Sequence, residues 1–391
     1  MGVLDYLDAE LQSLRDQGLY RPLRVLDDEQ RAHTVVDHRS VVNLSSNNYL
    51  GLTTHPRLRE RARAALDRLG VGTGSVRTIA GTMAIHVELE ERLAAFKKTE
   101  AAVVFQSGFT ANAGTVSSIL GKEDVIISDE LNHASIIDGA RLSRATIKVF
   151  PHRDIAAARA LLEATPRGTR TLLITDGVFS MDGDLGPLPA LCDLAEEFGS
   201  IMMVDDAHAS GVFGTNGRGT VDHFGVHGRV QVQVGTLSKA IGALGGYVAG
   251  PRVLIDFLHR RARPFLFSTS HPPSVAATCL AAIDVLEEEP QWMAQLWDNT
   301  RFFKAGLRAA GFDTGISESP ITPIIVGDGA LAMTFSDRLF ERGVFALGIG
   351  FPTVPQGKAR IRTIVAATHT RDELQFALDV LGQTGRELGV I

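Results

Sequence analysis

Val230-Gln-Val-Gln-Val-Gly-Thr-Leu-Ser-Lys239 runs as a strand-like stretch into a lysine, and the glycine-rich segment Ala240-Ile-Gly-Ala-Leu-Gly-Gly246 follows it. Bare backbone beside an amine lets a planar cofactor approach closely enough to form a Schiff base. Upstream, the apolar run Ile201-Met-Met-Val-Asp205 closes on an acid. In open α/β sheets ligands bind at the carboxyl ends of the strands, where such an acid can hold a protonated ring nitrogen. Lysine and aspartate at two strand exits together predict pyridoxal-phosphate chemistry.

Working outward, further strand-like runs are Ala101-Ala-Val-Val-Phe105, Val125-Ile-Ile-Ser128, Thr146-Ile-Lys-Val-Phe150, Leu172-Leu-Ile-Thr175 and Gly246-Tyr-Val-Ala249. Several are continuously apolar, as parallel strands covered on both faces are. The expected fold is α/β, a large mostly parallel sheet with helices on both faces plus a smaller α+β unit. The expected division is 1–45 (an N-terminal helix and short strands), 46–283 (the cofactor-binding domain) and 284–391 (the small domain). Leu4, Leu7, Leu11 and Leu14 share one face of a helix that must pack on the body or on a second subunit. Asp37-His-Arg-Ser40 reads as a hairpin turn.

Length and composition set limits on function. The 391 residues exceed what one small core organises, and 45% hydrophobic with 21% charged residues is ordinary for a globular enzyme. A net charge of −6 argues against general nucleic-acid binding. Cys192 and Cys279 lie outside any metal-ligand spacing, so no metal site is expected and both read as small core residues. No apolar stretch is long enough for a membrane helix and no leader is legible, so a cytoplasmic protein is expected.

Other strand exits carry chemistry. Ser107, Gly108 and Phe109 would open a helix with free N–H groups suited to a phosphate. His133 leaves the strand after Ser128 and could stack on a ring or simply satisfy the loop. Ser180 could reach the cofactor, while the Asp-Gly pairs around it read as turns. Asp206 reads as a solvated loop acid, and His208 could bond a phenolic oxygen. Arg360 and Arg362, two apart, share one strand face, and a guanidinium fork suits a substrate carboxylate.

The chain resembles the α-oxoamine synthases. The resemblance rests on Asn43-Leu-Ser-Ser-Asn-Asn-Tyr-Leu-Gly51, Asn132-His-Ala-Ser-Ile-Ile-Asp-Gly139, Thr175-Asp-Gly-Val-Phe-Ser-Met-Asp-Gly183, Val204-Asp-Asp-Ala-His208, Gly235-Thr-Leu-Ser-Lys239, Pro264-Phe-Leu-Phe-Ser-Thr-Ser270 and Pro352-Thr-Val-Pro355. It implies a fold-type I pyridoxal-phosphate enzyme that condenses an amino acid with an acyl-CoA, working as a homodimer with shared active sites. It assigns Lys239 to the Schiff base, Asp205 to the ring nitrogen, His208 to the ring hydroxyl and His133 to ring stacking. Gly108, Phe109, Ser180 and Thr236 are implied around the cofactor, with Thr269 and Ser270 reaching the phosphate in the neighbouring subunit. Asn47, Arg362 and Thr353 are implied in substrate binding. Arg21, or Tyr20 in an alternative local alignment, is implied at a pimeloyl carboxylate.

Within the family, Asn132–Gly139, Val76-Arg-Thr-Ile-Ala-Gly-Thr82 and the tail Gly385-Arg-Glu-Leu-Gly-Val-Ile391 are most similar to the glycine C-acetyltransferases. The expected reaction is therefore glycine plus acetyl-CoA giving 2-amino-3-oxobutanoate. The alternative is the decarboxylating condensation of L-alanine with a pimeloyl thioester in biotin formation. A silent subunit should have lost at least one of Lys239, Asp205, His208 and His133, and all four are present.

Overall fold

The computed structural model describes residues 2–16, 20 and 23–391. Strands β1 (His33–Val36) and β2 (Arg39–Asn43) pair antiparallel through the expected turn, in which Asp37 and His38 take φ of 46° and 62°. Left-handed backbone at both turn positions matches the twist of the flanking strands.

All seven apolar runs become strands of one sheet. They are β3 (Ala101–Phe105), β4 (Val125–Asp129), β5 (Thr146–Phe150), β6 (Thr171–Asp176), β7 (Ile201–Asp205), β8 (Val232–Thr236) and β9 (Gly246–Gly250), in the order β3-β9-β8-β7-β6-β4-β5. From β5 to β8 every pairing is parallel, and β9 runs antiparallel to both its neighbours. Every residue of β3, β4, β6, β8 and β9 is buried, which is why these runs carry almost no polar alternation. One face packs on Ala111, Val116, Ile136 and Ala140 from helices Gly108–Ile119 and Ala134–Ser143. The other packs on Ala158, Leu191 and Leu194 from helices Ile155–Glu163 and Leu188–Phe198. Both cysteines are buried.

The small unit is an antiparallel sheet of β10 (Ile321–Gly327), β12 (Leu347–Ile349) and β13 (Ala359–Ile364), with β13 in the centre. The short β11 (Val344–Phe345) pairs with β2, so the N-terminal hairpin docks on this unit. Helix Pro273–Glu288 runs continuously across residue 283. Helix Asp5–Asp16 buries none of its residues, and Leu4, Leu7, Leu11 and Leu14 stay 38–62% exposed, so its apolar face does not pack on the body of its own chain. Among the described residues no helix is long and apolar enough to cross a membrane, and no cluster of side chains could hold a metal ion.

Candidate functional site

Parallel strands deliver their carboxyl ends to one edge of the sheet, and that edge holds the site. A cavity of about 170 Å³ is lined by Gly108, Phe109, His133, Asp176, Ser180, Asp205, His208, Thr236 and Lys239, among others. Eight of these nine are residues the sequence singled out, and the ninth, Asp176, is a finding of the fold. Lys239 does not end a strand. The β8–β9 ladder closes at Thr236–Gly246, and Leu237 N–H donates to Gly245 O at 2.8 Å, so the lysine lies on a closed loop three residues past β8. Burial drives its amine down to about pKa 8, with the Asp205 carboxylate opposing and Arg362 assisting.

The acid opposite the lysine is built for ionic work. Asp205 Oδ2 accepts from the Asn112 amide at 2.6 Å and Oδ1 from Ala207 N–H at 2.8 Å. The neighbouring imidazoles are uncharged. His208 is driven well below the ordinary histidine range by burial and then by the Lys239 and Arg362 cations, and its Nδ1 lies 2.7 Å from the Tyr49 hydroxyl. Burial keeps that phenol protonated. With the hydroxyl donating to Nδ1, the ring proton sits on Nε2 and can be given to a phenolic oxygen. His133 Nδ1 accepts from Ser135 N–H at 3.2 Å and lies 2.7 Å from the Ser135 hydroxyl, capping helix Ala134–Ser143. Burial lowers its pKa too, leaving a flat neutral ring suited to stacking.

At the phosphate end, Ser107 caps helix Gly108–Ile119 in a reciprocal capping box with Thr110, and the N–H groups of Gly108 and Phe109 open the helix. Gly246 is required beside them, because a Cβ there would stand 2.4 Å from Ser107 O. Thr236 Oγ1 lies 2.7 Å from Ser238 Oγ and donates to Gly245 O at 2.9 Å. An amine, a paired carboxylate, neutral imidazoles and a helix N-terminus in one cavity fit pyridoxal phosphate.

The two arginines of β13 divide their work. Arg360 is committed to Asp182 Oδ1 at 2.5 Å and to Met181 O, fastening the Ser180 loop. Among the described residues the Arg362 side chain makes one bond, to Asn47 Oδ1 at 3.1 Å, and its buried Nε has no partner. A guanidinium left half-unsatisfied beside Lys239 and His208 suits a carboxylate ligand.

Other expected residues lie elsewhere. Thr269 is exposed and pairs with Val76, while Ser270 is buried and bonds to Ser75 O, so neither lines this protomer's cavity. Thr353 sits on an exposed turn. Arg21 lies outside the described residues, and Tyr20 is exposed with the Arg15 guanidinium over its ring. Asp206 is not a solvated loop acid. It is fully buried, 3.0 Å from the equally buried Lys97 Nζ, and it accepts from the Thr220 hydroxyl and N–H. Adjacent residues at a strand end point to opposite faces, so Asp205 looks into the cavity and Asp206 into the structure behind it.

Sequence reasoning missed Asp176, Asn112, Tyr49 and His152. Asp176 closes an apolar strand just as Asp205 does, a signal obscured by the following glycine, which suggests a turn. His152 bonds both Asp129 (3.0 Å) and Asp184 (2.8 Å), whose side chains are fully buried at the roots of the loops bearing His133 and Ser180. Burial alone would lower its pKa, but the two carboxylates raise it to about 9. Its ion pairs stabilise fully below pH 6.5 and are lost as pH rises towards 9. We expect stability in urea to fall across that window in the wild type, and His152→Gln to remove that slope and to cost about 3–5 kcal/mol at pH 6.5. An unchanged slope in the variant would place the titration elsewhere.

Comparison with known proteins agrees with this geometry. The family described as aminotransferase class I and II matches residues 39–381. The chain is 59% identical to the 8-amino-7-oxononanoate synthase of Symbiobacterium thermophilum over the whole of both chains. It is 58% identical to 8-amino-7-oxononanoate synthase 1 of Bacillus subtilis over 99% of each. Among solved structures, serine palmitoyltransferase from S. paucimobilis, with a bound PLP–myriocin adduct, superposes with a TM-score of 0.95 at 33% identity over both whole chains. The 8-amino-7-oxononanoate synthase of Francisella tularensis gives 0.76 at 27% identity, covering 90% of this chain and 99% of that one. Fold and site define a fold-type I enzyme whose cofactor is pyridoxal phosphate. The chain belongs to the α-oxoamine synthases, enzymes of the acyltransferase type.

These relatives favour the biotin-pathway alternative over the glycine and acetyl-CoA reading. Three residues of the motifs that pointed to acetyl transfer have structural roles here. Arg77 is locked in a buried two-pronged pair with Glu90 at 2.8 Å, Asn132 ties Ser128 to Ile174 O, and Gly385 packs against Phe312.

Proposed function

We propose that this chain is an 8-amino-7-oxononanoate synthase, which condenses L-alanine with pimeloyl-CoA or another pimeloyl thioester and releases carbon dioxide and the free thiol. The observation that carries this reading is the identity, along whole chains, with relatives of that name.

When bound, pyridoxal phosphate supplies an electron sink for negative charge at the amino-acid Cα. The residues supply the rest. Asp205, braced by Asn112, would hold the positive ring nitrogen. His208 Nε2–H would donate to the ring oxygen, and His133 would stack on the ring. The helix N-terminus at Gly108 and Phe109, with Thr236 and Ser180, receives the phosphate and the ring edge. Arg362 and Asn47 orient the alanine carboxylate. The Lys239 amine, its pKa lowered by burial, would hold the cofactor and, once free, would take the Cα proton. The new C–C bond forms between Cα and the thioester carbonyl, the thiolate leaves and takes a proton from solvent, and loss of carbon dioxide empties the Arg362 fork. Lys239 returns a proton to Cα.

The active form in this proposal is a homodimer. Support comes from the apolar face of helix Asp5–Asp16, which finds no cover on its own chain, and from Thr269 on an exposed segment outside its own cavity.

Thiol release across an acyl panel tests the assignment. L-alanine with a pimeloyl thioester should give the highest kcat/KM, with one carbon dioxide per thiol. Glycine with acetyl-CoA at higher kcat/KM and no carbon dioxide would restore the acetyltransferase reading.

A further inference from the structure

Asp176 and Asp205 are direct partners across the parallel β6–β7 pair, at the carboxyl ends of both strands, and both line the cavity. Neighbouring strands are about 5 Å apart, so two ionised carboxylates would repel strongly in a buried cavity. Their donors are unequal. Asp205 receives one on each oxygen, whereas Asp176 receives only His133 N–H on Oδ2, at 3.1 Å, and its buried Oδ1 has no partner among the described residues. An ionised oxygen stranded in that way costs more than a neutral O–H in the same place.

The surroundings agree. Asp205 faces Asp176 from β7, Asp129 from β4, His133 from the loop after β4 and Lys239 from the loop after β8. Asp129 is already bonded to His152, and His133 is neutral. Lys239 and the His133 N–H favour a charged Asp176, and both are outweighed. Burial first, and Asp205 second, raise this carboxyl well above the usual range.

We propose that Asp176 is a positioning residue held as a neutral carboxylic acid, so that the cavity presents one carboxylate, Asp205, and gives Lys239 a single counter-charge. The consequence falls on the lysine. A second carboxylate would stabilise the ammonium form, while a neutral Asp176 leaves the amine free to attack a carbonyl carbon and to accept a proton. The inference rests on Lys239 as the cofactor's attachment point and is independent of the acyl substrate.

The apoprotein tests it. Labelling of Lys239 by an amine-reactive reagent, followed by peptide mass spectrometry across pH, gives the midpoint of its titration. Asp176→Asn keeps the shape and neutrality of the acid, so its midpoint should match the wild type. If Asp176 is ionised in the wild type, the variant's midpoint drops by about one unit or more, which overturns the proposal. Should the variant not fold, carbon-13 NMR of aspartate-labelled wild-type apoprotein at pH 7 decides. One side-chain carboxyl at the protonated shift, assigned to Asp176, supports the proposal, and an ionised Asp176 signal overturns it. Borohydride mapping separates these results from an error over Lys239, since a cofactor trapped on another lysine would remove the premise and leave the carboxyl spectrum unaffected.

Discussion

Replacing Lys239 by alanine should lower kcat by about four orders of magnitude, because one amine is both the cofactor's attachment point and the base at Cα. Binding of substrate should suffer much less, since Arg362, Asn47 and the phosphate end stay intact. Borohydride reduction of wild-type holoenzyme should fix the cofactor on the peptide containing Lys239, and the alanine variant should carry no fixed cofactor. A label on another lysine would end the assignment. The same variant tests the shared dimer. Mixed with an inactive Thr269/Ser270 double variant under conditions of subunit exchange, it should regain activity from hybrid sites. Confirmed exchange without recovery would separate Thr269 and Ser270 from the neighbour's phosphate.

The second large effect distinguishes two adjacent acids. Asp205→Ala should reduce kcat by about 10²–10³ with little change in stability, because the loss is of charge aimed at the ring nitrogen. Asp206→Ala should instead destabilise the fold by about 3–5 kcal/mol, since it strands the buried Lys97 ammonium without a counter-charge, leaving it Arg218 O and the Tyr247 hydroxyl. Per folded molecule its kcat should stay much closer to wild type. Replacing both members, as in Lys97→Met with Asp206→Leu, should recover most of the stability, because a buried pair exchanged for apolar packing is often neutral or better. Equal kcat losses for the two single variants, normalised to folded protein, would show that the wrong carboxylate was assigned to the ring.

Much of the architecture was legible because burial on both faces leaves a direct trace. All seven apolar runs became strands of one sheet, and their exits carried Gly108, His133, Ser180, Asp205, His208 and Lys239 to one cavity. Acyl length was not legible, because Arg77 and Asn132, in the segments used to judge it, are committed to contacts within the protein. Thr269 and Ser270 lie away from their own cavity, a position that chain order does not reveal.

By itself, the sequence determined that a parallel sheet forms and which strand exits bear reactive groups, since apolar runs and turn residues act locally. Tertiary structure alone decided how those groups are charged. Lys97 comes from a distant helix to neutralise Asp206, Tyr49 from near the N-terminus to set the proton on His208, and strand register brings Asp176 against Asp205. The protonation state of a buried group depends on the charges and donors within a few ångströms, and those are assembled by the fold from residues far apart along the chain.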